Sequence, residues 1–113
     1  SNMPKTEIKE IPDSDPPVLE YISPKIPAGF KYVTKQPKMD LIAKATDNTG
    51  ISFVSDNSAM QSLSETGIFT SRLELEPGEN QFRIVVMDQK ENLTEQIFIV
   101  EYLPPGNYSG LKY

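Results

Sequence analysis

From residue 18 onward, the chain alternates apolar and polar side chains in short runs separated by Gly, Pro, Asp and Asn. In the run 39–46, one face carries Met39, Leu41, Ala43 and Ala45. A period of two is that of a half-buried β-strand. Such runs recur roughly every 8–12 residues, which is the spacing expected of a sandwich or barrel. The sequence therefore predicts an all-β domain.

Seven antiparallel strands are predicted, and the first of them is kinked. Pro24, Pro27 and Gly29 interrupt it, because proline cannot donate a hydrogen bond to a central ladder. We therefore expect an edge strand that stops at Ser23 and resumes at residue 30. The predicted strands are residues 18–23 with 30–34, 39–46, 51–55, 59–63, 68–75, 81–87 and 94–102. Between the fifth and sixth, residues 77–80 (Pro-Gly-Glu-Asn) form the clearest turn.

The composition narrows the classes of function. A chain of 113 residues is long enough for one domain that buries roughly two thirds of its unfolded surface. Its formal net charge of −5 argues against nucleic-acid binding, which requires clustered Lys and Arg. The absence of Cys and His removes disulfides, thiolate zinc sites and the commonest general base. No apolar run approaches the ~20 residues of a membrane-spanning helix.

Both ends of the chain are predicted to be linkers. Ser1 and Asn2, which precede Met3, are typical of residues left by an expression vector. The segment that follows is rich in Pro, Asp, Glu and Lys and has no apolar period. The tail has two prolines, two glycines and no apolar period either. The predicted division is therefore a vector remnant and linker in 1–16, the sandwich domain in 17–103, and a linker or disordered tail in 104–113.

An ordered series of residues within 17–102 is similar to the pattern of a known family. The series is Asp47, Gly50, Ile51, Val54, Asn57, Gly67, Phe69, Leu73, Leu75, Gly78, Asn80, Phe82, Ile84, Val86, Asp88, Asn92, Val100 and Tyr102. It resembles the bacterial Ig-like domains related to the glucodextranase accessory domain, which recur in extracytoplasmic proteins, sometimes beside caspase-like peptidase or glycosidase domains. The resemblance implies an immunoglobulin-like β-sandwich with a spacer or binding role and no catalysis.

Three positions depart from that family pattern. Asp56 stands where an apolar strand residue is usual, Ser58 replaces a turn glycine, and Glu91 replaces the glycine expected before Asn92. These departures leave the predicted sandwich unchanged, and they bear on the geometry of the turns.

Carboxylates in the predicted turns raise the hypothesis of a calcium site. Because an odd number of antiparallel passes puts the two chain ends at opposite poles, the turns carrying Asp47, Glu65 and Asp88 should share a pole with Asp13 and Asp15. Calcium takes carboxylate, amide and carbonyl oxygens as ligands. The favoured alternative is that these side chains cap local backbone donors, as Asp does in turns. The sequence predicts no other cofactor.

The last two predicted strands are apolar on both faces, so one of those faces should lie outside the core. We expect Val85, Met87, Ile97 and Ile99 to form an exposed patch that contacts a neighbouring domain or a second copy of the chain. The alternative is that these strands are central and that long loops cover them.

Two other functions are weighed against an interaction module. Sugar rings could stack on the tyrosines, which are Tyr21, Tyr32, Tyr102, Tyr108 and Tyr113, but carbohydrate modules usually also use tryptophan, and the chain has none. An enzyme needs a nucleophile or a matched acid–base pair, and neither motif is present.

The sequence therefore predicts a non-catalytic spacer or protein-interaction module of a larger bacterial protein that is secreted, periplasmic or on the cell surface. Its expected partners are neighbouring domains of the same polypeptide or another protein. A carbohydrate-binding accessory module of a glycosidase, which would bind a polysaccharide, is the alternative.

Overall fold

The structure is a computed structural model that describes residues 15–26 and 31–106. This part of the chain contains eight strands. The strands are β1 (Val18–Ser23), β2 (Lys31–Thr34), β3 (Lys38–Thr46), β4 (Ile51–Asp56), β5 (Ala59–Gln61), β6 (Ile68–Glu74), β7 (Gly78–Asp88) and β8 (Leu93–Tyr102). Most of both predicted linkers lies outside the described residues. Within those residues, no helix is long and apolar enough to span a membrane.

The strands form two sheets, one of three strands in the order β1-β3-β6 and one of five in the order β2-β8-β7-β4-β5. Neighbouring strands run antiparallel, with the exception of the parallel pair β2 and β8. This arrangement confirms the predicted all-β, immunoglobulin-like sandwich.

The predicted first strand is two strands that belong to different sheets. β1 pairs with β3, whereas β2 pairs with β8 on the other side of the core. A crossing between sheets therefore replaces the predicted kink, and the count of seven strands becomes eight in the described residues. Ile26, which follows β1, is buried in the core. Residues 27–30, including the predicted start at Phe30, lie outside the described residues.

The turn predicted at residues 77–80 is shorter than expected, because β7 already begins at Gly78. The Asn80 side chain accompanies this early pairing with a set of hydrogen bonds. Its amide accepts from the Glu76 N–H and donates to the carbonyls of Glu76, Gly78 and Val100. Gly78 has a φ of 96°, which glycine adopts without a Cβ penalty. One side chain thus closes the turn and ties it to β8.

The core lies between the two sheets and is built by the predicted alternation. Its buried apolar side chains are Ile26, Leu41, Ala43, Ala45, Val54, Phe69, Leu73, Leu75, Phe82, Ile84, Val86, Phe98 and Val100. Full burial of a Val, Leu, Ile or Phe side chain contributes roughly 1.5–3 kcal/mol. Hydrophobic burial is therefore the main term that holds the sheets together.

The chain enters and leaves the sandwich at opposite poles. Val18 begins β1 opposite Thr46, and this end, which we call the N-terminal pole, also holds the β7–β8 turn after Asp88. Tyr102 ends β8 opposite Gly78 at the other end, the C-terminal pole. β1 and β2 run toward the same pole and together make one pass. The opposite-pole prediction thus holds although the strand count changes.

Candidate functional site

The four residues predicted to form an exposed patch lie on the outer face of the five-stranded sheet, where Ile97 is exposed and the other three are partly buried. Val85, Met87, Ile97 and Ile99 alternate with residues of the core, so their side chains point away from it. The strand registers place three more apolar side chains on the same face. We call this surface the apolar face; its residues are Phe53, Met60, Val85, Met87, Leu93, Ile97 and Ile99.

Three residues of the apolar face were not predicted from the sequence, namely Phe53, Met60 and Leu93. A β-bulge between Ile51 and Phe53 moves Phe53 to the outer side, opposite Met87, whereas Ile51 packs against the core. Strict alternation would have put Ile51 and Phe53 on the same side of the sheet. The bulge, which the sequence pattern did not show, separates them. Met60 and Leu93 are 67% and 53% exposed, and Ile97 is 47% exposed.

Charged side chains on this face are paired with one another. The Lys31 ammonium lies 3.1 Å from a carboxylate oxygen of Glu79 and 3.1 Å from one of Glu101. Hydrogen bonds to Glu79 and then to Glu101 raise the pKa of Lys31. Arg83 pairs with Glu95 in the same way. Because these charges are already paired with one another, the apolar side chains are the part of this face that remains available for contact with a partner.

Two of the three predicted calcium ligands line a single cleft at the N-terminal pole. The cleft has a volume of about 410 Å³, and both Asp47 and Glu65 are among its lining residues. Gly67, at its edge, has a φ of 86°, and a Cβ there would lie 2.2 Å from the Ala45 carbonyl oxygen. Only glycine fits this contact, which brings the β5–β6 loop close to β3.

The carboxylates of Asp47 and Asp88 cap turns, as the alternative predicted. Asp47 Oδ2 accepts from the backbone N–H and the hydroxyl of Thr49, at 2.9 and 2.8 Å. Asp88 accepts from the backbone N–H of Lys90 and of Asn92 and from the Asn92 side-chain amide. Asp88 is completely buried.

Within residues 15–26 and 31–106, no three acidic side chains gather closely enough to hold a metal ion. Asp13 lies outside those residues. Calcium binding at this pole stays a prediction, and a calcium titration followed by melting temperature would test it.

A cluster of polar side chains that was not predicted lies inside the sandwich. Asp56, at the end of β4, accepts a hydrogen bond from the Ser71 hydroxyl of β6, so the contact joins the two sheets. Asp56 Oδ1 and the Tyr21 hydroxyl are buried with no hydrogen-bond partner. We call Asp56, Ser71 and Tyr21 the buried polar cluster. Its signal in the sequence was the aspartate at a position where the family pattern that the sequence resembles has an apolar residue.

Burial dominates the electrostatics of this cluster. It raises the pKa of Asp56, and the hydrogen bond from Ser71 lowers that pKa only in part. Burial, followed by the nearby charge of Asp56, raises the pKa of Tyr21 to about 12. Both shifts follow from the same cause, because a charge is poorly solvated between two apolar sheets.

The tyrosines considered for sugar binding are turned toward the core where the structure describes them. Tyr21, Tyr32 and Tyr102 pack against the buried cluster of apolar side chains. The Tyr21 ring also meets Phe98 edge-on, with ring centroids 5.7 Å apart. Tyr108 and Tyr113 lie outside the described residues.

Comparison with known proteins identifies the fold. No protein-family model and no curated protein matches the chain. Among solved structures, the chain is similar to the fibronectin(III)-like modules of Clostridium thermocellum CbhA, with a TM-score of 0.52 and 13% identity over 79% of this chain. It spans 47% of the length of that chain. The described residues therefore adopt a fibronectin III-like β-sandwich.

Proposed function

We propose that this chain is a non-catalytic spacer and protein-interaction module of a larger extracytoplasmic bacterial protein, related to the glucodextranase accessory type of Ig-like domain. The observation that supports the proposal is that β1 begins and β8 ends at opposite poles of the sandwich. A sandwich traversed in this way sets the domains before and after it apart by its own length. The hydrogen-bonded sheets between those ends would keep the separation fixed.

The apolar face supports the second half of the proposal. Large apolar side chains that are about half exposed, such as Ile97, are uncommon in a contiguous group on a monomer and mark contact surfaces. We propose that a neighbouring domain of the same polypeptide covers this face. The charges around it are paired internally, so burial of apolar area would supply the contact energy.

The spacer role is tested by the distance between the two ends. The chain has no cysteine, so Pro16→Cys with Pro105→Cys gives two unique spin-label sites. β8 has 10 residues, and at a rise of about 3.3 Å per residue it spans about 33 Å. We expect a narrow distance distribution near that value. Pro16→Cys with Lys90→Cys, which labels one pole twice, is the control and should give a much shorter distance. A broad distribution for the first pair would contradict a rigid spacer.

The contact with a neighbouring domain is tested by methyl NMR on the isolated chain and on the full-length polypeptide. The methyl groups of Met60, Met87 and Ile97 should shift between the two samples. Val18, which is exposed on the other sheet, is the control and should not shift. Identical spectra on the apolar face would contradict the contact. Retention of the isolated chain on a panel of polysaccharides would instead support the carbohydrate-binding alternative.

A charge substitution separates surface from core on the two faces of the same sheet. Ile97→Lys should leave the isolated chain folded, because that side chain is 47% exposed. Val86→Lys, the control on the inner face, should prevent folding, because Val86 is fully buried. Circular dichroism distinguishes the two results. Unfolding by Ile97→Lys would show that the outer face is part of the core of the isolated domain.

A further inference from the structure

The buried polar cluster has fewer hydrogen bonds than its atoms require. Asp56 is 5% exposed and Ser71 is 2% exposed. One hydrogen bond joins them, while the second carboxylate oxygen of Asp56 and the Tyr21 hydroxyl have none. Buried polar atoms are nearly always paired in folded proteins. The two oxygens without a hydrogen-bond partner, Asp56 Oδ1 and the Tyr21 hydroxyl, therefore call for an explanation.

The groups that face Asp56 offer it no positive charge. In the described part of the chain, no Lys or Arg is among the buried residues. The titratable side chains that contribute to the core are Tyr21 from β1, Tyr32 from β2, Asp88 from β7 and Tyr102 from β8. β3 and β6 face the core with apolar side chains and Ser71. The charged Arg83 pairs with Glu95 on the outer face. Ionisation of Asp56 would thus leave a buried charge with one neutral hydrogen-bond donor.

We propose that the buried polar cluster makes the domain pH-responsive: the contact between β4 and β6 holds best with Asp56 as a neutral acid, and ionisation of Asp56 weakens the association of the two sheets. This inference is independent of the spacer role. It concerns the free energy that holds the two sheets together, and this does not depend on which domains the sandwich connects.

The direction of the pH dependence follows from the same geometry. Burial holds the pKa of Asp56 in the folded chain above its value in the unfolded chain. The folded state therefore binds the Asp56 proton more tightly than the unfolded state does. The stabilisation is complete at pH values below the unfolded pKa, and it is lost as the pH rises through the folded pKa. Most carboxylates in proteins have the opposite effect, because ion pairs depress their pKa.

Asp56→Asn isolates this effect, because it keeps the shape of the side chain and cannot ionise. Unfolding equilibrium constants of both chains should be measured by urea titration, with circular dichroism, from pH 3 to pH 8. The ratio of the constant for the natural chain to that for Asp56→Asn should rise severalfold with pH. Asp40→Asn, at an exposed position of β3, is the matched control for a change of surface charge. A ratio for Asp56→Asn that is flat across this range would overturn the proposal.

A second measurement works even if Asp56→Asn does not fold. In the natural chain, the ¹³Cγ resonance of Asp56 should titrate at a pH above the ordinary range of aspartate. In addition, the destabilisation caused by Ser71→Ala should increase with pH, because a hydrogen bond to an ionised carboxylate is stronger than one to a neutral acid. A midpoint within the ordinary range, or a Ser71→Ala effect independent of pH, would show that Asp56 is a structural residue without a response to pH.

Discussion

The two aspartates buried in the described part of this sandwich differ in where their hydrogen-bond donors come from. Asp88 has no exposed surface, and its carboxylate accepts hydrogen bonds from residues no more than four positions away. Asp56 is nearly as buried, but its partner Ser71 is 15 residues away on the other sheet, and one of its oxygens has no partner. Burial alone therefore does not decide what a carboxylate does for the fold.

The origin of the donors explains the difference. Around Asp88, the β7–β8 turn itself presents backbone N–H groups to the carboxylate, so forming the turn and satisfying the charge are one event. Around Asp56, strand residues use their backbone groups in the ladder, and only side chains from other strands remain as donors. A turn can therefore bury an aspartate at little cost, whereas a strand facing the core cannot.

The largest effect is expected at the locally satisfied site. Asp88→Ala should destabilise the domain by about 3 kcal/mol, because it leaves three partly buried donors without their acceptor. Urea denaturation at neutral pH measures the change. Asp88→Asn is the matched control: it retains one acceptor oxygen and should cost clearly less. If the two variants lost equal stability, the hydrogen bonds to the turn would not be the cause.

A smaller effect of opposite sign is expected at the other aspartate. Asp56→Val together with Ser71→Ala should stabilise the domain by about 1–2 kcal/mol at pH 7, because well-packed apolar side chains replace a poorly solvated polar pair. Asp56→Val alone is the control and should gain less, since the Ser71 hydroxyl then loses its partner. A loss of stability in the double variant would mean that the cluster contributes net binding between the sheets.

The contrast between these sites also explains what could be read from the sequence. Alternation predicted the sandwich and the outward direction of Val85 and Ile97, because a period of two is a local property. The capping role of Asp88 was foreseen as an alternative for the same reason. The crossing of the first strand between sheets depends on which strands meet in space, and so does the pairing of Asp56 with Ser71. No local pattern encodes either of them.

Turns with left-handed residues adjoin both aspartates, at two of the positions where the sequence departs from the family pattern that it resembles. Ser58 and Glu91 have φ angles of 74° and 69°, in the left-handed region. In the β4–β5 hairpin, Asp56 pairs with Ala59, so Asn57 and Ser58 form a two-residue turn in which both φ angles are positive. Such a turn favours Asn followed by Gly. In the β7–β8 hairpin, the Glu91 N–H donates to the Asp88 carbonyl, and glycine is favoured after a turn of that kind.

The smallest effects should therefore come from restoring glycine at these turns. Ser58→Gly and Glu91→Gly should each stabilise the domain by about 0.5–1 kcal/mol, since relief of the left-handed strain exceeds the greater flexibility of glycine in the unfolded chain. Ser58→Ala and Glu91→Ala, which keep a Cβ, are the controls and should bring no gain. Thermal melting of the four variants compares them. Glu91→Gly could raise the melting temperature while Ser58→Gly does not. That result would indicate that the hydrogen bonds between Asn57 and β7 already fix the β4–β5 turn, so that strain at Ser58 has no separate effect.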